Sequence, residues 1–157
     1  GRCLMSRLFF FCCALIALLV LGCGGPGGAA TSLSGKEAEM YETGAASLLV
    51  GSKAYALKWA DTEAAAELRQ QLPLAKTFTE LHDNEKYYKL PQRLTAADED
   101  VREIHKGDVM LFDGQYVVVF YQDFQTTYRY TRLGHVEAAN DLDAALGAGD
   151  VFLTLQP

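Results

Sequence analysis

Cysteine and serine are missing from most of the chain. The four cysteines all lie within the first 23 of the 157 residues, and no serine follows Ser52. The long remainder therefore has no disulfide, no cysteine-ligated metal and neither of the two commonest hydrolase nucleophiles. Mechanisms that need a serine or a thiol beside a base are excluded for it.

Signatures of phosphate and metal binding are also missing. The sequence has no G-x-x-x-x-G-K-[ST] and no G-x-G-x-x-G motif. His82, His105 and His135 lie too far apart for the spacings that place two imidazoles on one metal. The acidic stretch 96–108 lacks the spacing of a calcium loop and is typical of a hydrated loop. We therefore predict no metal site and no cofactor.

The first 23 residues have the pattern of a signal sequence. Arg2 and Arg7 precede an apolar run over residues 8–21, which is short for a membrane-spanning helix. Met5 is a plausible start of translation. The run ends in "VLGC", which resembles the bacterial lipobox, so we predict lipidation at Cys23; an ordinary cleaved signal and an uncleaved anchor are the alternatives. The protein is then expected to be exported to the cell envelope and held at a membrane by its lipid.

The charge of the remaining chain argues against nucleic acid as a partner. The whole chain has a formal net charge of −6, from 14 basic and 20 acidic residues. Removal of the leader takes away two arginines and no acidic residue, which leaves 12 basic residues and a charge of −8. A body this acidic is repelled by phosphate backbones. Residues 24–45 are small and polar and predict a flexible tether, so the folded domain is expected over 46–157.

The domain is predicted to be mostly β. Strands are expected on both sides of Gly51-Ser52, over 75–81, on both sides of a tight turn at Asp113-Gly114, over 127–136 and over 151–155. Asp61 and Asn140 are expected to cap two short helices, the second ended by Gly147. Residues 82–108 are predicted to form a long, polar and turn-rich loop region. Many short strands with two short helices favour a closed or nearly closed antiparallel barrel.

Three ordered blocks carry a family resemblance: "NEKYYKLP", "IHKGDVMLFDGQYVVVFYQDFQTTYRYTRLG" and "LDAALGAGDVFLTL". Together they resemble the small bacterial cyclophilin-like domain family over about residues 46–157. The resemblance implies a closed antiparallel cyclophilin-type β-barrel capped by two short helices. It implies no particular reaction, because the family is largely uncharacterised.

The chain departs from the pattern of the cyclophilin isomerases. Those enzymes place an arginine in a Phe-x-Arg strand segment, with Phe, Gln and His completing a proline-binding groove. The corresponding stretch here, "LAKTFTELHDNEKYY", has Phe78 but no arginine after it. The stretch 80–85 could instead supply a carboxylate and an imidazole for acid and base chemistry at His82, or it is simply a solvated turn.

The most aromatic stretch, residues 114–134, divides into two parts. In "YVVVFY" both faces are apolar, so Val117, Val118, Val119 and Phe120 are predicted core. In residues 127–133 neither face is apolar enough for an ordinary interior. One face aligns Tyr128, Tyr130 and Arg132, which could stack on a ligand and bind a carboxylate or carbonyl, or could only pack across strands, with Arg132 over a ring.

We predict a candidate ligand groove formed by aromatic residues and one arginine: Tyr87, Tyr88, Tyr121, Phe124, Tyr128, Tyr130 and Arg132. The predicted function is an exported, lipid-anchored module that binds a peptide or a small molecule without catalysis. The alternative is a peptidyl-prolyl isomerase with a relocated arginine. Another enzyme, or a purely structural envelope protein, are further alternatives.

Overall fold

A computed structural model describes residues 45–157, and the predictions for the signal sequence, Cys23 and residues 24–44 lie outside it. Within this range the chain forms eleven strands and two short α-helices. They are β1 (Ser47–Val50), β2 (Lys53–Trp59), α1 (Glu63–Arg69), β3 (Leu74–Leu81), β4 (Glu85–Lys89), β5 (Glu99–Asp100), β6 (Glu103–Ile104), β7 (Asp108–Phe112), β8 (Tyr116–Phe120), β9 (Phe124–Gln125), β10 (Arg129–Val136), α2 (Leu142–Leu146) and β11 (Val151–Gln156). Neither helix has the length and apolar character needed to cross a membrane.

Eight of the strands form a closed antiparallel barrel, as predicted. Their order is β2, β1, β11, β3, β4, β8, β7, β10, and β10 pairs with β2 to close the ring. At this closure Gly134 lies opposite Trp59, and a Cβ on Gly134 would come within 2.6 Å of the Lys58 carbonyl oxygen. Closure therefore needs glycine at position 134. Strand β5 pairs with one end of β10, while β6 and β9 form a separate two-stranded ribbon.

The two helices form where expected, but the capping residues differ from the prediction. Thr62, not Asp61, caps α1: its hydroxyl accepts from the Ala65 N–H at 3.2 Å and donates to the Arg132 carbonyl oxygen at 2.7 Å. The second hydrogen bond ties the helix to β10. Asn140 lies in a 3-10 turn, and the N-cap residue of α2 is Asp141, which makes no side-chain capping bond. Gly147 ends α2 with a φ of 64°, as predicted.

Strand β8 is buried on both faces, which confirms the prediction for residues 117–120. Val117 and Val119 belong to the barrel interior, together with Phe78, Leu111 and Leu153. Val118 and Phe120 belong to a second apolar cluster on the outside of the barrel, formed by Ile104, Met110, Val118, Phe120 and Tyr130. Strand β8 therefore separates the barrel interior from the second apolar cluster.

The prediction that neither face of residues 127–133 suits an interior was wrong. Thr131 and Leu133 are fully buried inside the barrel. The Thr131 hydroxyl accepts from the Ala97 N–H at 2.8 Å and donates to the Asp98 carboxylate at 2.7 Å. A polar side chain can therefore occupy this interior, because the segment before β5 supplies both of its hydrogen-bond partners.

Residues 82–108 are also more regular than predicted. They include all of β4, a full member of the barrel that pairs with β3 and β8. His82 and Asp83, with φ of 56° and 54°, form the tight turn between β3 and β4. Strand β4 alternates strictly, so Lys86 and Tyr88 point to the interior side, while Glu85 and Tyr87 point outward.

Candidate functional site

The outer faces of β4, β8, β7 and β10 form the floor of a cleft. Tyr87, Val118 and Tyr130 belong to this floor, each from a different strand. The ribbon of β6 and β9 lies along one side and contributes Phe124, whose ring centroid is 5.6 Å from that of Phe120. The second apolar cluster therefore does two things: it holds the ribbon on the barrel, and it supplies the apolar base of the cleft.

We call this depression the aromatic cleft. It has a volume of about 920 Å³, within the range of known small-ligand sites. Its lining combines aromatic rings with a few polar groups: Leu81, His82, Asn84, Glu85, Tyr87, Arg102, Glu103, Phe112, Asp113, Tyr116, Val118, Phe124, Gln125, Thr126, Thr127, Tyr128 and Tyr130.

The aromatic rings of the cleft are fixed by contacts with one another. Phe112 packs edge-on against Tyr128 at 5.8 Å between centroids and contacts Tyr130 at 5.6 Å. Tyr87 packs edge-on against Tyr116 at 6.0 Å. Tyr128 remains 64% exposed. Contacts of this kind preorganise a binding wall, because little side-chain entropy is left to lose when a ligand binds.

Glu85 is the most unusual polar residue of the cleft. It is partly buried, and within residues 45–157 its carboxylate makes no ion pair and no side-chain hydrogen bond. Burial, and then the charge of Glu80, raise the pKa of Glu85 to about 7. The neighbouring Asn84 has a buried side-chain oxygen with no partner in the described part of the chain. Both residues line the cleft, which therefore contains two acceptors without a donor from the described residues.

Arg102 and Asp113, two other charged residues of the lining, have partners. The Arg102 guanidinium, 82% exposed at the rim, lies 3.3 Å from the Asp100 carboxylate. Asp113 lies 3.2 Å from Arg93. These exposed pairs contribute little to stability, but they occupy the charges that the rim presents.

The tyrosine hydroxyl at the base of the cleft remains protonated. Burial, and then the nearby charge of Glu85, raise the pKa of Tyr130 to about 12. Tyr130 can therefore donate a hydrogen bond to a ligand at any physiological pH.

Four of the seven sequence-predicted groove residues meet in the cleft: Tyr87, Phe124, Tyr128 and Tyr130. Tyr88 lies elsewhere, packed on Phe78 at 5.7 Å at the edge of the barrel interior. Arg132 is not part of the lining either, because its Nε binds the Glu99 carboxylate at 2.5 Å. Its predicted alternative, a stack on an aromatic ring, is not the contact it makes.

Tyr121, the remaining predicted residue, takes part in a polar cluster on the interior side. Its hydroxyl donates to both Glu80 oxygens at 2.9 Å. The fully buried Lys86 ammonium donates to Glu80 at 2.5 Å and to the carbonyl oxygens of Gly147 and Gly149 at 2.7 and 2.6 Å. All three ammonium protons are thus used, and the chain after α2 is fastened to the barrel. Although burial raises it, hydrogen bonds from Lys86 and Tyr121 hold the pKa of Glu80 below its usual value.

Sequence reasoning missed Glu85, Asn84, Phe112 and Tyr116 as cleft residues. The alternation in "NEKYYK" was the available signal for β4, and once that strand is placed, Glu85 and Tyr87 fall on one face. Phe112 and Tyr116 flank the predicted Asp113-Gly114 turn, so both belong to a hairpin that the sequence indicates.

The family profile agrees with the barrel. The profile of the Cyclophilin-like family matches residues 48–156, which is nearly all of the described chain. The chain belongs to the cyclophilin-like family. No curated protein and no solved structure matches it. Membership in the cyclophilin-like family establishes the domain and its fold, so the role of the aromatic cleft must be argued from its own residues.

Proposed function

We propose that this cyclophilin-like protein is an exported, lipid-anchored binding module that takes a peptide or a small ligand in the aromatic cleft without catalysing a reaction. The observation that carries the proposal is the preformed cleft of about 920 Å³ with a fixed aromatic wall. Large apolar depressions with a few polar groups are the usual form of a ligand site.

The proposed export and membrane attachment of the protein are supported by the sequence. The lipobox-like "VLGC" ending at Cys23 supports lipidation, and the small and polar residues 24–45 support a tether between the anchor and the barrel. Cys23→Ala is expected to abolish incorporation of a labelled fatty acid. Wild-type protein that takes up no label would contradict the anchor.

The positions of the arginines support the proposal that the cleft does not catalyse prolyl isomerisation. Electrostatic assistance requires a charge that is preorganised against the reacting group in a site that excludes water. Strand β3 carries Lys76 and no arginine, and Arg132 is bound to Glu99 outside the cleft lining. Arg102 reaches the lining only at its exposed rim.

The alternative function, prolyl isomerisation with a relocated arginine, is favoured by one observation: Arg102 does line the cleft. We expect the full chain, purified in detergent, to leave the cis-to-trans rate of a proline tetrapeptide unchanged. Acceleration that Arg102→Ala removes and Arg93→Ala retains would establish the alternative.

Binding is tested by a panel of acetylated pentapeptide amides that vary the central residue, titrated into the isotopically labelled full chain and followed by NMR. Tyr128→Ala should weaken binding about five- to tenfold, because an aromatic contact contributes about 1 kcal/mol. Phe152→Ala is the matched control, since Phe152 is 61% exposed on β11, outside the cleft. Equal losses in both variants, or no binding by any peptide of the panel, would contradict the proposal.

A further inference from the structure

Glu85 faces the aromatic cleft as an acceptor that lacks a donor. It lies on the outward face of β4, opposite Phe120 of β8, where the surroundings are apolar. Among the described residues no lysine, arginine or histidine lies within ion-pair distance of its carboxylate. The side-chain oxygen of the adjacent Asn84 is buried without a partner. A partly buried carboxylate of this kind is costly unless something pairs with it.

The charged and titratable groups around Glu85 do not supply that partner. Glu80 on β3 is itself acidic and acts on Glu85 through its negative charge. Tyr121, which follows β8, gives its hydroxyl proton to Glu80. Tyr130 on β10 is neutral, and His82 of the β3–β4 turn lies 3 residues from Glu85 on the cleft lining without an ion pair to it. Lys86 is adjacent in sequence, but it points to the other side of β4 and has all its protons bound.

The rim leaves Glu85 as the carboxylate of the cleft without a partner among the described residues. Arg102 and Asp113 both contribute to the lining, but they are paired with Asp100 and Arg93. Glu103, an exposed carboxylate of the lining, adds further negative charge at the rim.

The rings of the cleft suit a cation as well. Tyrosine and phenylalanine present a negative face, and a cation that is shielded from water gains about 1 to 2 kcal/mol from such a ring. The chain already uses this contact nearby: the Lys89 ammonium lies 5.5 Å from the centroid of the Tyr116 ring. Carboxylate and aromatic rings together form the usual surroundings of a bound ammonium or guanidinium.

We infer that the aromatic cleft recognises a cationic group, an ammonium or guanidinium, which pairs with Glu85 and is covered by the aromatic rings. This inference rests on the proposed function and names the class of its ligand. The shared chemistry belongs equally to a basic side chain of a peptide and to a free organic cation.

A pH dependence follows from the environment of Glu85. Its pKa of about 7 means that the carboxylate is mostly protonated at pH 6 and mostly ionised at pH 8. A cation binds the ionised form, so binding strengthens as the pH rises through 7. The fraction of ionised Glu85 changes about tenfold over this interval, and the affinity for a cation should change by a similar factor.

The test compares a charged ligand with its neutral isostere. The detergent-purified full chain is titrated with acetyl-Gly-Arg-Gly amide, with the same peptide carrying citrulline, and with butylguanidinium, at pH 6 and pH 8. We expect the arginine peptide to bind at least tenfold more tightly than the citrulline peptide at pH 8, with most of this preference lost at pH 6. Glu85→Gln should remove the preference at pH 8. Glu99→Gln, an exposed carboxylate outside the cleft, should retain it.

The outcomes separate this inference from the proposed function. If neutral peptides of the panel bind while arginine and citrulline peptides bind equally, the inference is overturned and the proposed function stands. If no peptide and no cation binds, both are overturned. Binding of butylguanidinium as tight as that of the arginine peptide identifies a free cation as the ligand, and binding of the peptide alone identifies a basic side chain. A preference that survives in a folded Glu85→Gln protein overturns the role of Glu85.

Discussion

Two neighbouring charges on β4 have opposite surroundings. Lys86, on the interior side, is fully buried, and its ammonium has three acceptors. Glu85, on the outer side, is partly buried and has no donor within the described residues. A charge whose partners all belong to the protein holds the fold together. A charge in a cleft that has no partner from the protein can instead pair with a ligand.

The largest effect should come from the interior charge. Lys86→Met leaves the partly buried Glu80 beside Tyr121 without its counter-ion and frees two carbonyl oxygens, so we expect a loss of about 3 kcal/mol in the free energy of unfolding. Urea denaturation measures this loss. Lys89→Met, at an exposed position of the same strand, should cost less than about 1 kcal/mol. Similar costs for the two variants would remove the distinction between the two sides of β4.

A neutral polar residue of the interior sharpens the comparison. Thr131→Val keeps the volume but removes both hydrogen bonds of the buried hydroxyl, so the Ala97 N–H and the Asp98 carboxylate lose their partner. We expect destabilisation of about 2 kcal/mol by urea denaturation. Thr77→Val, exposed on β3, serves as the control and should be nearly neutral. An unchanged midpoint for Thr131→Val would mean that its hydrogen bonds are replaced by water.

Ionisation of Glu85, on the outer side of β4, should destabilise the fold, whereas the Lys86 charge stabilises it. The pKa of Glu85 rises from 4.5 to about 7 in the folded chain, so the folded state holds an extra proton between these values. Stability therefore falls as the pH rises through this window. The full shift corresponds to about 3 kcal/mol, and solvent contact reduces this, so Glu85→Gln should stabilise the ligand-free chain by about 1 kcal/mol at pH 8.

At pH 5 the same substitution should change stability little, because Glu85 is protonated there in the folded state. Denaturation midpoints of wild type and variant across pH 5 to 8 measure the difference. A gap between the two proteins that stays constant with pH would contradict the raised pKa.

The smallest effect on folding should come from the exposed aromatic wall. Tyr128 is 64% exposed and makes its ring contact with Phe112 at the surface, so Tyr128→Ala should change the free energy of unfolding by less than about 1 kcal/mol. The measurement is again urea denaturation, with Phe152→Ala as the control. A cost above about 2 kcal/mol would show that Tyr128 supports the fold, and its effect on binding could then not be assigned to ligand contact.

The barrel was predictable where local patterns agree with the tertiary structure. Val117 to Phe120 read as core because both faces are apolar, and Asp113-Gly114 has the positive φ values, 47° and 62°, that the predicted turn needs. Strand β4 was missed because an inward lysine makes its pattern look polar throughout. Only the acceptors of Glu80, Gly147 and Gly149, distant in sequence from one another, make Lys86 acceptable as an interior residue.

The cleft was predictable only in part. Alternation correctly places Tyr128 and Tyr130 with the cleft, but Arg132 is not in the lining, because Glu99 on β5 binds its side chain. Tyr121 is a similar case, since its hydroxyl partner Glu80 comes from a different strand. The properties of Glu85 depend on burial by β8 and on the charge of Glu80, and no local pattern contains this information.

The pairing of β11 sets the order in which this chain can fold. Strand β11 lies between β1 and β3, so the first and last strands of the described domain are neighbours. A ribosome that still holds residues 151–156 holds back the strand that completes the ring. Contacts between such distant parts of a chain form slowly. The barrel therefore cannot close until β11 is free to pair with both β1 and β3.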